Sequence, residues 1–459
     1  MSLQVGEKQH RGIVANDPVA AGVEAGSERQ ATAFGATIGA RLTPSLERSF
    51  LLNTLVFNNA IVPGSVFLNM RCKAYQYNGV DISTATPIAL IEGCSSLAFR
   101  GIKMYVNEVL VSRLQRADVV RHVVDRTFNA TKGLDLEAYR QLNSDHGIVE
   151  DAATPAVTDI FKHGMIEDGQ SFLLTRPLDD LPFFADGDTY LPGWNTVKVD
   201  VETTSDPQNL FRTDGTITEA PYLFVEEMFI TYTTAKILND HALKLREAAI
   251  GDRASFSTTE WNAQSLAPHI DAGATSWESS SQALYDVTPN MVLFAMFPTA
   301  TFTPSIDSYK DSQHPMIRSW GNVSDIRFND GGGGVLQRYN KTKGVGGKID
   351  IMNNFTKAID LTAGVGGSTV GTRTKSAMEP YNFVREPGTG LIPLVFKNWL
   401  ERDNTQSTSL TISMAADLND EVGGAPVAAI PYLISATSVR WNLSPISGAT
   451  QKTPGIKLS

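Results

Sequence analysis

Apolar residues along this chain recur mainly at every second position. In SVFLNMRCKAYQY (65–77), Val66, Leu68, Met70, Cys72 and Ala74 share one face while Asn69, Arg71 and Lys73 share the other. That is the period of a half-buried strand. Asn78-Gly79 follows, a hairpin signal because both residues tolerate positive φ. IKMYVNEVLV (102–111) is read as another strand, and NTVKVDVETT (195–204) alternates Val with Lys, Asp and Glu. PYLFVEEMFITYTT (221–234) is apolar on both faces, as in a strand covered on both sides. The second half continues with NMVLFAMFPTATF (290–302), with STSLTISMAADL (407–418), which places Leu410, Ile412, Met414 and Leu418 in phase, and with SATSVRWNL (435–443).

Two stretches break this rhythm. In ADVVRHVVDRTF, Val119, Val120, Val123, Val124 and Phe128 recur at helical spacing behind Asp118, a candidate N-cap. Leu136, Tyr139 and Leu142 extend a helical pattern beyond Gly133. AKILNDHALKLREAAIG (235–251) reads as an amphipathic helix stopped by Gly251, lying between two β-rich halves. The resulting division is an N-terminal arm at 1–42, a first β unit at 43–235, a linker helix at 236–251 and a second β unit at 252–459. Phe34, Ile38 and Leu42 are the arm's candidate anchors for contact with another subunit.

Composition supports an all-β chain. Its 459 residues are 42% hydrophobic and 19% charged, enough for large cores and too little charge for disorder. Thirty-seven Gly and 22 Pro suit many short strands joined by turns. The net charge of −10, with no block of Lys and Arg, argues against a sequence-specific nucleic-acid binder. The charges of the arm cancel, which argues against genome binding there. Two cysteines, Cys72 and Cys94, are too few for a disulfide scaffold and point to a reducing compartment. The start lacks a signal-type apolar core, and no apolar run is long enough to span a membrane.

Chemistry is sparse. The Gly-rich loops at 329–348 and 362–372 fail the phosphate-loop test, because Thr342 stands where the first glycine belongs and Ile349 follows Gly347-Lys348. They fail the dinucleotide pattern at Ile349 and Thr369. His10, His122, His146, His163, His241, His269 and His314 show no metal-ligand spacing. No Gly-x-Ser-x-Gly elbow occurs, and Cys72 lies on an apolar strand face, unlike a reactive thiol. There remain Asp179, Asp180, Asp186 and Asp188 beside Phe183 and Phe184 in LDDLPFFADGDTY. A glycosidase needs two carboxylates facing across a cleft. A calcium loop needs a longer acidic rhythm than Asp186-Gly187-Asp188. The plainer reading is a solvated loop before the strand at 196–202. No catalytic, cofactor-binding or metal-binding residue is assigned.

The order of these pieces resembles the hexon-like double jelly-roll major capsid proteins of Polinton-like viruses, adintoviruses and virophages. PGSVFLNMRCKAYQYNGVDI is similar to the family's early first-barrel strand and turn. PIALIEGCSSLAFRGIKMYVNEVLVS is similar to the next segment, whose strand ends in an Asn-containing turn, here Asn107. LDLEAYRQL resembles the helical piece that follows, and PYLFVEEMFITYTTAKI the strand closing the first barrel. APHIDAGATSWESSSQALYDVTPNMVLFAMFP resembles the start of the second barrel, and GLIPLVFKNWLERDNTQSTSLTISMAADL its closing strands. The resemblance implies two consecutive eight-stranded antiparallel jelly rolls with a few short helices in loops and linker. It further implies a homotrimer forming a pseudo-hexagonal capsomer, with neighbouring capsomers and minor (penton or cement) capsid proteins as partners. The product would be an icosahedral shell around a DNA genome, in a virion assembled inside the host cell. No enzyme activity, cofactor or transmembrane segment is implied, and the loops near 143–190 and 303–348 are expected at the trimer axis or outer surface. The competing class is a carbohydrate-active β-sandwich, lectin or glycosidase, using the acidic-aromatic loop 178–194.

Overall fold

The computed structural model describes residues 23–32, 40–42, 44–52, 59–75, 88–90, 94–128, 171–184, 191–213, 221–237, 240, 243–244, 246–247, 256–280, 282–284, 291–299, 323–330, 335–340, 408–416, 428–444 and 448–452. Through the first half run β1 (Val23–Thr32), β2 (Ala40–Arg41), β3 (Glu47–Leu52), β4 (Asn59–Ile61), β5 (Phe67–Tyr75) and β6 (Ile88–Leu90). A short helix α1 (Cys94–Leu97), the strands β7 (Phe99–Val106) and β8 (Val109–Leu114), and helix α2 (Ala117–Phe128) come next. Then follow β9 (Phe172–Pro177), β10 (Leu191–Pro192), β11 (Val197–Thr203), β12 (Phe211–Thr213) and β13 (Tyr222–Ile237). The second half contains β14 (Phe256–Ser265), β15 (Ser276–Glu278), β16 (Gln282–Leu284), β17 (Met291–Pro298) and β18 (Val323–Asp330). It ends with β19 (Val335–Asn340), β20 (Thr408–Ala416), β21 (Ala429–Ser444) and β22 (Gly448–Lys452).

Every strand pairing among the described residues is antiparallel; each half builds two main sheets, and in the first half β6 and β12 pair as a further two-stranded one. The first half has a sheet of order β10-β4-β13-β5-β9, which β1 and β2 join through β13, and a second of order β3-β11-β7-β8. The second half has β14-β21-β17, with β22 on β21, and β15-β20-β18-β19, with β16 on β20. These are two consecutive jelly rolls, the all-β architecture expected from the alternating pattern.

Each roll is organised on one strand of 16 residues, β13 or β21, far beyond the usual length of about five or six. Registers show how they are used. Phe224 pairs with both Arg41 and Lys73, Phe229 with both Thr32 and Asn69, and Thr234 with both Ser27 and Ile61. A strand residue has one partner per side, so β1 and β2 lie in tandem along one edge of β13, and β4 and β5 along the other. Arg440 pairs with Ser257 and with Lys452, so β17 and β22 share one edge of β21 in the same manner.

Alternation survives intact where it was clearest. Val197, Val199 and Val201 are buried while Lys198 is exposed, and Leu68, Met70, Cys72 and Ala74 are buried. Phe50, Phe99, Phe184 and Phe211 are wholly inaccessible in the same core, each stabilising by about 1.5–3 kcal/mol relative to exposure. Asn69 departs from the pattern by being buried on the polar face. Its amide donates to the Thr231 hydroxyl at 3.1 Å and its carbonyl accepts from Thr175 at 3.0 Å, so the site is satisfied across three strands.

Other expectations change. The strand read over 102–111 is a hairpin, β7 and β8, turned at Asn107 and Glu108 with φ of 50° and 66°. Two consecutive positive φ values are the tight-hairpin geometry that matches strand twist. Residues 235–237 extend β13 rather than opening a helix, and helical conformation occurs at Asp240, Leu243–Lys244 and Arg246–Glu247. Within the glycine-rich stretch 329–348, Val335–Asn340 is a strand paired with β18. Of the loop expected over 143–190, Phe172–Pro177 is a buried strand at one edge of the large sheet. Asn78-Gly79, the pattern at Leu136–Leu142 and the loop at 362–372 lie outside the described residues.

Candidate functional site

The acidic-aromatic stretch and helix α2 come together, and they do so at the boundary between the rolls. Leu178, Leu181, Phe183 and Phe184 are buried, and residues 179–180 form a turn that follows β9. Asp179 accepts a hydrogen bond from Arg121 on α2, a guanidinium with no exposed surface. Asp180 takes both terminal nitrogens of Arg176, at 2.5 and 3.1 Å, and neither side chain is exposed. Arg176 also donates to the carbonyls of Pro177 and Ala117, tying the sheet to the first turn of α2. The solvated loop expected here is therefore a pair of buried ion pairs. Fork-to-carboxylate geometry is the strong form of such contacts, and removing one partner strands the other charge out of water.

Asp118 does not cap α2. It sits inside the first turn, where its carboxylate holds Arg116 at 2.8 and 2.9 Å, while the Arg116 carbonyl accepts from the Val120 N–H. Over residues 117–123 of α2 the polar positions are not wet: Arg121 and His122 are as buried as Val119, Val120 and Val123. The reason is its place between the rolls. Arg116 donates to the hydroxyl of Tyr432 on β21 and lies 5.0 Å above that ring. Tyr432 meets Phe297 of β17 edge-on at 5.6 Å, and Phe297 lies 6.0 Å from the His122 ring. The backbone N–H of Phe183 donates to Thr258 on β14 at 3.3 Å, from a residue held at φ 66°. Burial opposes the charge on Arg116, yet Asp118 and the Tyr432 oxygen outweigh it and hold the guanidinium pKa up. Burial likewise raises the Tyr432 phenol, which stays protonated.

The outer face of β3-β11-β7-β8 is ordered in transverse rows. Registers align Leu51, Lys198, Tyr105 and Leu110 across the four strands, with the Lys198 ammonium 5.0 Å from the Tyr105 ring centre. Leu51 is 39% exposed and Leu110 43%, and Val109 beside it is 37% exposed. Three of the four large apolar residues that are exposed among the described residues thus gather on one sheet. At its other end this same face meets β14 of the second roll, through the cleft between them.

Of the arm residues, Leu42 is 2% exposed in the chain's own core, with its N–H donating to the Leu223 carbonyl at 2.8 Å. Phe34, Ile38, Asp186 and Asp188 lie outside the described residues. Of the histidines, His122 belongs to the seam and His269 is exposed. Among the described residues no group of three or more His, Cys, Asp or Glu could hold a metal ion, and no helix is long and apolar enough to cross a membrane. Burial, then Cys94 and Glu226, push the Cys72 thiol well above its ordinary value. Asp179 and Asp180, each engaged by a buried arginine, do not form the facing pair a glycosidase requires. Arg116, Arg121, Arg176 and Tyr432 were not singled out by the sequence pattern. The spacing of Arg176 and Asp180, four residues apart in TRPLDD, is a local signal for Arg176 alone.

No protein-family model matches the chain, and no curated protein matches it. Solved structures do. The cryo-EM structure of the Sputnik virophage superposes with a TM-score of 0.59 at 11% identity, covering 95% of this chain and 90% of that one. The mavirus major capsid protein gives 0.53 at 10% identity, covering 94% and 93%. The Faustovirus major capsid protein gives 0.53 at 8% identity, covering 91% and 90%. The likeness is one of fold, and it runs through both rolls.

Proposed function

We propose that this chain is the structural subunit of a viral coat, a major capsid protein that trimerises into pseudo-hexagonal capsomers tiling an icosahedral shell around a DNA genome. Its place would be the virion capsid, assembled inside the host cell, with neighbouring capsomers and minor capsid proteins as partners. The observation that carries this reading is the pair of rolls fused through a buried seam, coextensive with the mavirus and Faustovirus major capsid proteins. Three copies of a two-roll chain make six similar lobes, and closed symmetric assemblies need complementary surfaces rather than a reactive cleft. The acidic residues that suggested chemistry support a structural role, because Asp179 and Asp180 hold α2 against the sheet.

In this reading the row of Leu51, Tyr105 and Leu110 faces a second copy, since the same sheet already accepts a roll at its other end. Leu42 fixes the arm to its own subunit, leaving Phe34 and Ile38 for a neighbour. Sedimentation of the purified chain at micromolar concentration tests the proposal. A species three times the 49.8 kDa chain, with pseudo-hexagonal outline in negative-stain micrographs, is expected. A stable monomer with no higher species would overturn it.

A further inference from the structure

A polar cleft of about 660 Å³ opens between the first roll and the second. Its floor is the outer face of β11, β7 and β8, and its wall is the edge strand β14. The floor carries both signs of charge in a defined order. Asp200, Lys103 and Arg113 align in one row, with Glu47, Glu202 and Gly101 in the row beside it. Most of these charges are engaged. Lys198 holds Asp200 at 3.0 Å, Glu47 lies 3.7 Å from Lys103, and Asp118 holds Arg116. Glu202 folds over Gly101, where an added Cβ would stand 2.9 Å from its carboxylate oxygen.

Arg100 and Arg113 are different. Both line the cleft, and among the described residues neither has a carboxylate partner. Two uncompensated guanidiniums facing one concavity are unusual in a chain of net charge −10. Opposite them, β14 presents the exposed Asn262 and Ser265, whose side chains both donate and accept.

We propose that this cleft binds an extended acidic peptide, one of whose carboxylates is held by Arg100 and Arg113 while Asn262 and Ser265 hold its backbone. Arginine forks match carboxylates in two-bond geometry, and asparagine matches the paired donor and acceptor of a peptide unit. A nucleic-acid strand fits less well. It brings a charge at every phosphate, and Glu47, Asp200 and Glu202 on the same floor repel those that pass the two arginines. This inference does not depend on the coat reading, since the cleft lies within one chain.

The test is fluorescence polarisation of the full-length protein with a labelled, C-terminally amidated Thr hexapeptide carrying a single Glu, against its Thr/Gln counterpart and a labelled decathymidylate. Saturable binding of the acidic peptide is expected, weakened at least tenfold in R113Q and further in R100Q/R113Q, and weakened by rising salt. Arg113 is exposed, so R113Q alone keeps the fold and the test stands even where the double variant does not. Asn262→Ala is expected to weaken the acidic peptide and its Thr/Gln counterpart by the same factor. No saturable binding, binding indifferent to Arg113, or tighter binding of decathymidylate would each overturn the proposal.

Discussion

Replacing Asp180 by Asn tests the buried ion-pair cluster most directly. The amide has nearly the shape of the carboxylate, so packing is kept while the charge opposite Arg176 is lost. Arg176 and Asp180 have no exposed side-chain surface, and the guanidinium then keeps only neutral acceptors, the carbonyls of Pro177 and Ala117 and the oxygen of the new amide. Its Nε already has no partner among the described residues. Stranding one member of such a pair costs about 3–5 kcal/mol. At roughly 2–4 °C per kcal/mol for a unit of about 200 residues, the melting point of the first roll should fall by on the order of 10 °C. The control is Glu227→Gln, which removes an ion pair to Arg71 at 3.5 Å with side chains 50% and 33% exposed; such pairs contribute about 0–1 kcal/mol. Scanning calorimetry of both variants, with an unchanged far-ultraviolet spectrum at 20 °C, gives the comparison. Equal small shifts in the two would refute the argument that Asp180 neutralises a charge with nowhere else to go.

Tyr432→Phe removes the acceptor for Arg116 at the seam and should cost about 1–2 kcal/mol, seen as faster proteolytic cleavage between the rolls; unchanged digestion would count against the seam as their lock. The raised Cys72 thiol keeps its proton in the folded chain, whereas the unfolded chain ionises above the ordinary thiol value. Stability should therefore be unaffected below that value and decline as pH rises past it, and native protein at pH 8 should leave Cys72 unlabelled by iodoacetamide until denaturant is added. Leu110→Asp places a charge in the exposed row and should shift sedimentation toward smaller species without altering the monomer's melting point. Deleting residues 1–32 bares the β13 edge that β1 covers, and light scattering should then show concentration-dependent aggregation, the hazard of an open edge.

What the sequence revealed and what it hid divide along physical lines. Val197–Thr203 and Phe67–Tyr75 were legible because one face of each meets a core, so burial writes itself into alternation. The turn at Asn107 was reached through the family resemblance and not through the pattern, because the alternation of β7 runs into β8, and Glu108 is an unusual residue to hold a φ of 66°. The buried polar positions of α2 were hidden for another reason. Arg121 and His122 have the periodicity of solvent-facing residues, but their solvent is the second roll and the turn after β9. Asp179 and Asp180 were noticed but read as solvated, since a carboxylate engaged by a buried arginine and one facing water leave the same letter in the chain. Tyr432 lies 316 residues from Arg116, and no local pattern reports a partner at that distance.

The seam has a direction in time. Arg116, His122 and Phe183, which face the second roll, all belong to the part of the chain that leaves the ribosome first. Thr258, Phe297 and Tyr432, which meet them, emerge afterwards and in that order. Domains tend to fold as units from the N-terminus during synthesis, so the later lobe is born beside a finished dock. A circular permutant that makes the later lobe first would have to hold its Tyr432 and Phe297 surface in water until the dock arrived, and nascent chains of that permutant should aggregate more.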